Sequence, residues 1–167
     1  KPFPLADLAG QTTVTLRTQP YRVFNHAALN FHYPQEFSFS ADLKNEAVSI
    51  WSLNGTSTVL IVQRYPNRTD ADAVRKEFVQ ALAEQYKEAL KGQSAVALPL
   101  KSGNLQGVRL NVDRDGQPLV QDVFTFSISN NVILLLLQDI PQQGGRPSPE
   151  QAKVQKMLLE TFSIPEK

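Results

Sequence analysis

Asn131-Val132-Ile133-Leu134-Leu135-Leu136-Leu137-Gln138-Asp139-Ile140 carries six apolar residues in succession, and its reading decides the fold. The run is far short of the ~20 apolar residues a membrane-spanning helix needs. It reads as a strand joined to a second, Leu119 to Ile128, through a turn at Ser129-Asn130-Asn131. A strand apolar on both faces must be covered on both, so this is the middle of a layered sheet. Val59-Leu60-Ile61-Val62 has the same character and marks another central strand. The two together imply a sheet covered on both faces, which pushes function to loops, edges and helix surfaces.

Working outward, strands come in pairs. Leu29 to Tyr33 and Phe37 to Ser40 flank Pro34, which cannot donate to a ladder and marks a bend. Ala47 to Leu53 and Ser57 to Tyr65 flank Asn54-Gly55, the signal for a type I′ hairpin turn. Ser94 to Leu100 and Leu105 to Val112 surround Ser102-Gly103-Asn104, and Asp115-Gly116 turns the chain into Leu119 to Ile128. Strands joined by short turns run antiparallel.

Two helices complete the pattern. Thr69 or Asp70 caps the first, whose apolar stripe Val74, Phe78, Leu82, Tyr86, Ala89 lies on a sheet, with Gly92 at its C-terminal end. The second runs from Ser148 to Phe162, with Ser148 as N-cap, Pro149 at the first helical position and Gln151 completing a capping box. The expected fold is α+β: an antiparallel sheet of six or seven strands with a helix on each face. Residues 1–20 read as a tail or edge strand, and residues 21–167 as a single domain, since 167 residues suit one core.

Composition excludes several function classes. Seventeen Lys plus Arg against sixteen Asp plus Glu leave a net charge of +1 with scattered basic residues, so a nucleic-acid partner is not expected. The chain has no cysteine, which removes thiolate nucleophiles, disulfides and Cys-type zinc sites and suits an exported bacterial domain. It opens on Lys1, so it reads as trimmed, by a signal peptidase or artificially. An exported, periplasmic or lipid-anchored protein is expected, any anchor lying upstream of Lys1; a cytoplasmic protein is the alternative.

Several residues carry chemical potential. His26 and His32 could be two ligands of a zinc site, but their separation is no metal-ligand signature, so ordinary strand or surface histidines are preferred. Asp113-Arg114-Asp115-Gly116 has the look of a calcium loop but lacks the downstream Glu, so it reads as a hairpin turn. Asp122 and Asp139 sit in neighbouring strands and could approach at one end of the sheet; solvent-facing edge charges are the preferred reading. Gly144-Gly145-Arg146, entering the last helix, could attract an anion at the helix N-terminus, against a plain flexible connection. Trp51 is a core position under a helix in preference to an interface anchor. With no Gly-x-Ser-x-Gly elbow and no Gly-rich nucleotide cradle, no catalytic residue, metal or cofactor is assigned.

Phe31-His32-Tyr33-Pro34-Gln35-Glu36-Phe37-Ser38-Phe39-Ser40 and Leu158-Leu159-Glu160-Thr161-Phe162-Ser163-Ile164, with the order of elements between them, carry a family likeness. The chain resembles the PsbP-like superfamily, the fold group of PsbP, the Ran-release factor, DcrB and LpqN, over about residues 21–164. Members share a scaffold and differ in function, so the resemblance implies the fold, a protein partner and an accessory or assembly role without catalysis. Small-ligand or lipid binding between sheet and helix is the alternative, and a hydrolase with an unrecognised site the second.

Overall fold

The computed structural model describes residues 19–164. The tail or edge strand expected over residues 1–20 lies, apart from Gln19 and Pro20, outside them. The strands are β1 (Tyr21–His26), β2 (Leu29–Pro34), β3 (Ser38–Asp42), β4 (Ser49–Asn54), β5 (Thr58–Pro66), β6 (Leu90–Leu100), β7 (Gly103–Arg114), β8 (Gln117–Ile128) and β9 (Asn131–Asp139). Helix α1 (Ala71–Tyr86) follows β5, and α2 (Pro149–Thr161) follows β9.

Seven strands form one antiparallel sheet in the order β3-β4-β5-β9-β8-β7-β6, so the apolar run Val132 to Leu137 lies in its central strand. Successive strand side chains point to opposite faces. Accordingly Val132, Leu134 and Leu136 join a buried cluster with Val74 and Leu82 of α1, while Ile133, Leu135 and Leu137 join another with Val154 and Leu158 of α2. Each buried aliphatic side chain contributes roughly 2 kcal/mol relative to exposure, so both faces of β9 hold the sheet to its covering layers.

Part of the second cluster is not helical. β1 and β2 form a separate two-stranded antiparallel hairpin, and Phe24, Leu29, Phe31 and Tyr33 pack in the α2-side core. The sequence reading missed β1 because its turn lacks the usual residues: Ala27 and Ala28 hold φ of 54° and 59°, where Asn-Gly is the expected chemistry. Asp115 and Gly116, with φ of 54° and 85°, make the predicted turn between β7 and β8.

Three local expectations are corrected. Asn54-Gly55 is no type I′ turn: β4 ends at Asn54, β5 begins at Thr58, and neither residue has a positive φ. Gly55 is needed for space, since a Cβ there would meet the Phe37 ring and the Glu150 carboxylate at 2.6 Å. The first helix stops at Tyr86, a 3-10 turn follows over Lys87–Ala89, and β6 starts at Leu90, four residues before the predicted strand. Gly92 therefore lies at a bulge in β6 instead of closing α1, because the β6–β7 ladder reaches back to Leu90 paired with Val112. At α2, Ser148 Oγ accepts from the Gln151 N–H at 3.0 Å, but the Ser148 N–H donates to Asp139, so the reciprocal half of the capping box has no donor left.

Candidate functional site

The densest polar arrangement lies where α2 meets the end of the sheet. Asp139, at the end of β9, is opposite Thr58 at the start of β5, and both are fully buried with Ser148. The Thr58 hydroxyl donates to Asp139 Oδ1 at 2.9 Å, the Ser148 N–H donates to Asp139 Oδ2 at 2.9 Å, and the two hydroxyls lie 3.0 Å apart. In the first turn of the helix, the Glu150 carboxylate accepts from the N–H groups of Thr56, Ser57 and Thr58 at 3.0, 2.7 and 3.0 Å, and from the Ser57 hydroxyl at 2.9 Å. Burial pushes the Glu150 carboxyl up, and those donors outweigh it, holding it below the ordinary carboxylate range.

This arrangement ties the β4–β5 turn to the helix, and its oxygen atoms are engaged in doing so. Ser148 is 2% exposed and its Oγ already serves Gln151 and Thr58, which leaves no accessible nucleophile there. Gly144 and Gly145, with φ of 79° and 74°, shape a turn closed by the Gln142 N–H on Arg146 O at 2.8 Å. They deliver Ser148 to its cap. Arg146 is exposed, and the helix N-terminus beside it carries Ser148 as cap and the negative Glu150 in its first turn. The anion reading of Gly144-Gly145-Arg146 therefore gains no support from the geometry.

Asp122 and Asp139 are both 1% exposed, which overturns their reading as solvent-facing edge charges. Val120 pairs with Asp139 and Asp122 with Leu137, so the carboxylates share a face as diagonal neighbours. Each has its own partners. Arg109 donates to both Asp122 oxygens at 2.6 and 2.7 Å, and that bond holds the guanidinium above its ordinary pKa against the loss of hydration.

The histidines stand apart. His26 pairs with Leu29 and shares the inner hairpin face with Phe24 and Phe31; His32 pairs with Val23 on the outer face. Side chains on opposite faces of one hairpin cannot close on one metal ion, so the zinc reading fails on register. His26 stacks on Trp51 at 5.8 Å and on Phe39 at 5.6 Å, and His32 stacks on Tyr21 at 4.0 Å. Trp51 is 5% exposed, a core residue as expected, but its cover is Phe24 and His26 of the hairpin, not a helix. Among the described residues, no group of three or more His, Asp or Glu is placed to hold a metal ion.

An unexpected surface lies beside α1. Seven strands at about 4.8 Å spacing span about 29 Å, and one helix is about 10 Å across, so α1 cannot cover its face of the sheet. It packs on β8 and β9. Gln93, Ala95 and Ala97 of β6 stay exposed beyond it, and a groove of ≈ 410 Å³ runs between the helix and β6–β7. Val79, Ala83 and Val108 form its apolar part; Arg75, Lys76, Gln80 and Gln93 border it. The expectation that both faces are fully covered is therefore wrong for the outer strands. Helix length and strand number were readable in the sequence, and their widths compared would have shown the shortfall. Glu150, Thr58 and Arg109 carried no such signal, because their roles depend on partners at least thirteen positions away.

No protein-family model matches the chain. No curated protein matches it either. Solved structures share its fold: the Saccharomyces cerevisiae Ran-binding protein Mog1p aligns with a TM-score of 0.55 at 9% identity, covering 88% of this chain and 96% of that one. A Bacteroides thetaiotaomicron protein aligns with a TM-score of 0.50 at 9% identity over 89% of this chain, which spans about half of it, 49%. At these identities the likeness concerns the fold alone. No helix among the described residues is long and apolar enough to cross a membrane.

Proposed function

We propose that the chain is a non-enzymatic accessory module, a PsbP-like sandwich with a helix on each face of its sheet, that docks a partner protein. The reading rests on one observation: beside the helix the α1 side of β6 stays open, with Val108 of β7, as a mixed groove of ≈ 410 Å³, while Leu110 and Val112 of β7 are buried. Its apolar floor and polar border match the make-up of transient protein interfaces. The shared fold of Mog1p, a Ran-binding protein, supports a docking role for this scaffold without naming the partner. The alternative, a ligand between sheet and helix, has an apolar recess in Leu100, Leu105, Phe126 and Phe162. At ≈ 200 Å³ that recess falls below the roughly 300–1,000 Å³ of ligand pockets, and the ≈ 410 Å³ groove beside α1, though large enough, is open to solvent and bordered by Arg75 and Lys76, so docking is preferred.

A photo-crosslinking residue at Gln93, in the cells of origin, tests the reading. The expected result is a discrete crosslinked partner, other than a second copy of this chain, that the same probe at Leu43, far along the sheet, does not capture. Identical bands from both positions, none from either, or a second copy of this chain alone at Gln93, overturn it. We also read the protein as exported, since a cysteine-free chain suits an oxidising compartment. The intact gene should carry a leader ahead of Lys1, with a lipobox cysteine if the protein is anchored; an uninterrupted cytosolic start sinks the export reading.

A further inference from the structure

We propose that β6 pairs edge to edge with the β6 of a second copy of this chain, merging two seven-stranded sheets into one. β6 is the end of the sheet, and its outward N–H and C=O groups meet no strand among the described residues. Such an edge recruits another strand unless it is short, charged, bulged or interrupted by proline. β6 is eleven residues long, and Gly92-Gln93-Ser94-Ala95-Val96-Ala97-Leu98-Pro99-Leu100 holds no charge. Its bulge, at Leu90/Gly92, and its proline, Pro99, both lie near the ends, leaving Gln93 to Leu98 regular.

The opposite edge is built the other way. β3 has five residues, all exposed, and runs through Asp42 into Lys44 and Glu46. With one edge open and the other blunted, pairing closes as a two-fold dimer and does not propagate into a fibre.

Several features select a second copy over a foreign strand. The net charge of +1 sets up little long-range repulsion between copies. A two-fold axis at Ala95 sets Ala95 against Ala95, Gln93 against Ala97 and Lys91 against Pro99, so no two lysines face each other. The exposed side chains on the α1 side of the joint are small or neutral, and on the other side Val96 and Leu100, half-buried, gain cover. This pairing goes beyond the docking reading and does not rest on it: either can fail while the other holds.

Sedimentation of the full chain up to about 100 μM, where a micromolar Kd is visible, is the first test, with the dimer expected. Ala95→Lys places like charges at the axis and should weaken the dimer up to about fivefold, while Ser40→Lys on β3 leaves it unchanged. Because the chain lacks cysteine, single variants add a geometric readout: Ala95→Cys should form an inter-chain disulfide on mild oxidation, and Ser40→Cys should not. Both sites are exposed, so far-UV circular dichroism should confirm native folding of every variant. A monomer at all concentrations, or a dimer indifferent to Ala95→Lys, overturns the pairing. So does a monomer whose β6 amides resist hydrogen exchange, since the edge is then occupied from within the chain.

Discussion

The two helices pack on one sheet by different means. α2 is pinned at its first turn by buried groups from distant strands: Asp139 and Thr58 bond Ser148, and Glu150 reaches back to three successive N–H groups of the β4–β5 turn. α1 is capped locally, the Ala73 N–H donating to Asp70 at 2.9 Å, with Thr125 and Ser127 hydroxyls donating to Ala71 O and Thr69 O at 2.8 Å. Both helices are thus tied to distant strands, Thr125 being buried as well, and the difference lies in the carboxylates: Asp139 at α2 is buried, whereas Asp70 at α1 is exposed. A polar group in a dry site is costly when its partner is removed, whereas one near solvent exchanges its partner for water. The α2 end is therefore a rigid joint, and the α1 side, with its uncovered outer strands, is where the surface can be altered without unfolding.

Substitutions should rank accordingly. Asp139→Ala leaves the buried Ser148 N–H without an acceptor and the buried Thr58 hydroxyl with only Ser148 Oγ as partner, and should cost about 3 kcal/mol in urea unfolding followed by Trp51 fluorescence. A loss no greater than that of an exposed cap would erase the contrast between the helices. Glu150→Ala should cost about 1.5 kcal/mol at pH 7, the low end for bonds to a charged group, because Glu150 keeps partial solvent contact.

That contribution should depend on pH in a definite sense. Glu150 titrates lower in the folded chain than in the unfolded one, so its stabilisation is complete above the unfolded value of about 4.3 and is lost as pH falls through the folded value. The gap between wild type and Glu150→Ala should hold constant from about pH 6 to 8 and close in acid. A gap that widens on acidification would assign the carboxylate the opposite role. The smallest effect belongs to α1: Asp70→Ala removes a local, exposed cap and should cost about 1 kcal/mol, with native packing retained.

Legibility in the sequence followed the range of the interaction. Val132 to Leu137 named the central strand because a two-sided apolar run is a local pattern with one structural meaning. Asp70, Ser148 and Asp115-Gly116 were legible as cap, cap and turn because their partners lie within three positions. β1 was hidden because Ala27 and Ala28 occupy left-handed positions their side chains do not favour, held there by the packing of Phe24 and Phe31. Gly55 was read correctly as special and for the wrong reason: the demand comes from Phe37 and Glu150 approaching it, not from its own backbone.

By itself the sequence determined the α+β class, the antiparallel pairing, the two helices and the central strand, since each follows from periodicity and turn chemistry between near neighbours. Tertiary structure alone decided which carboxylates are buried, what each one bonds, and that β6 is a strand the lone helix leaves open. Those outcomes depend on groups brought together from far along the chain and on the order of the strands in the sheet, which no local pattern encodes.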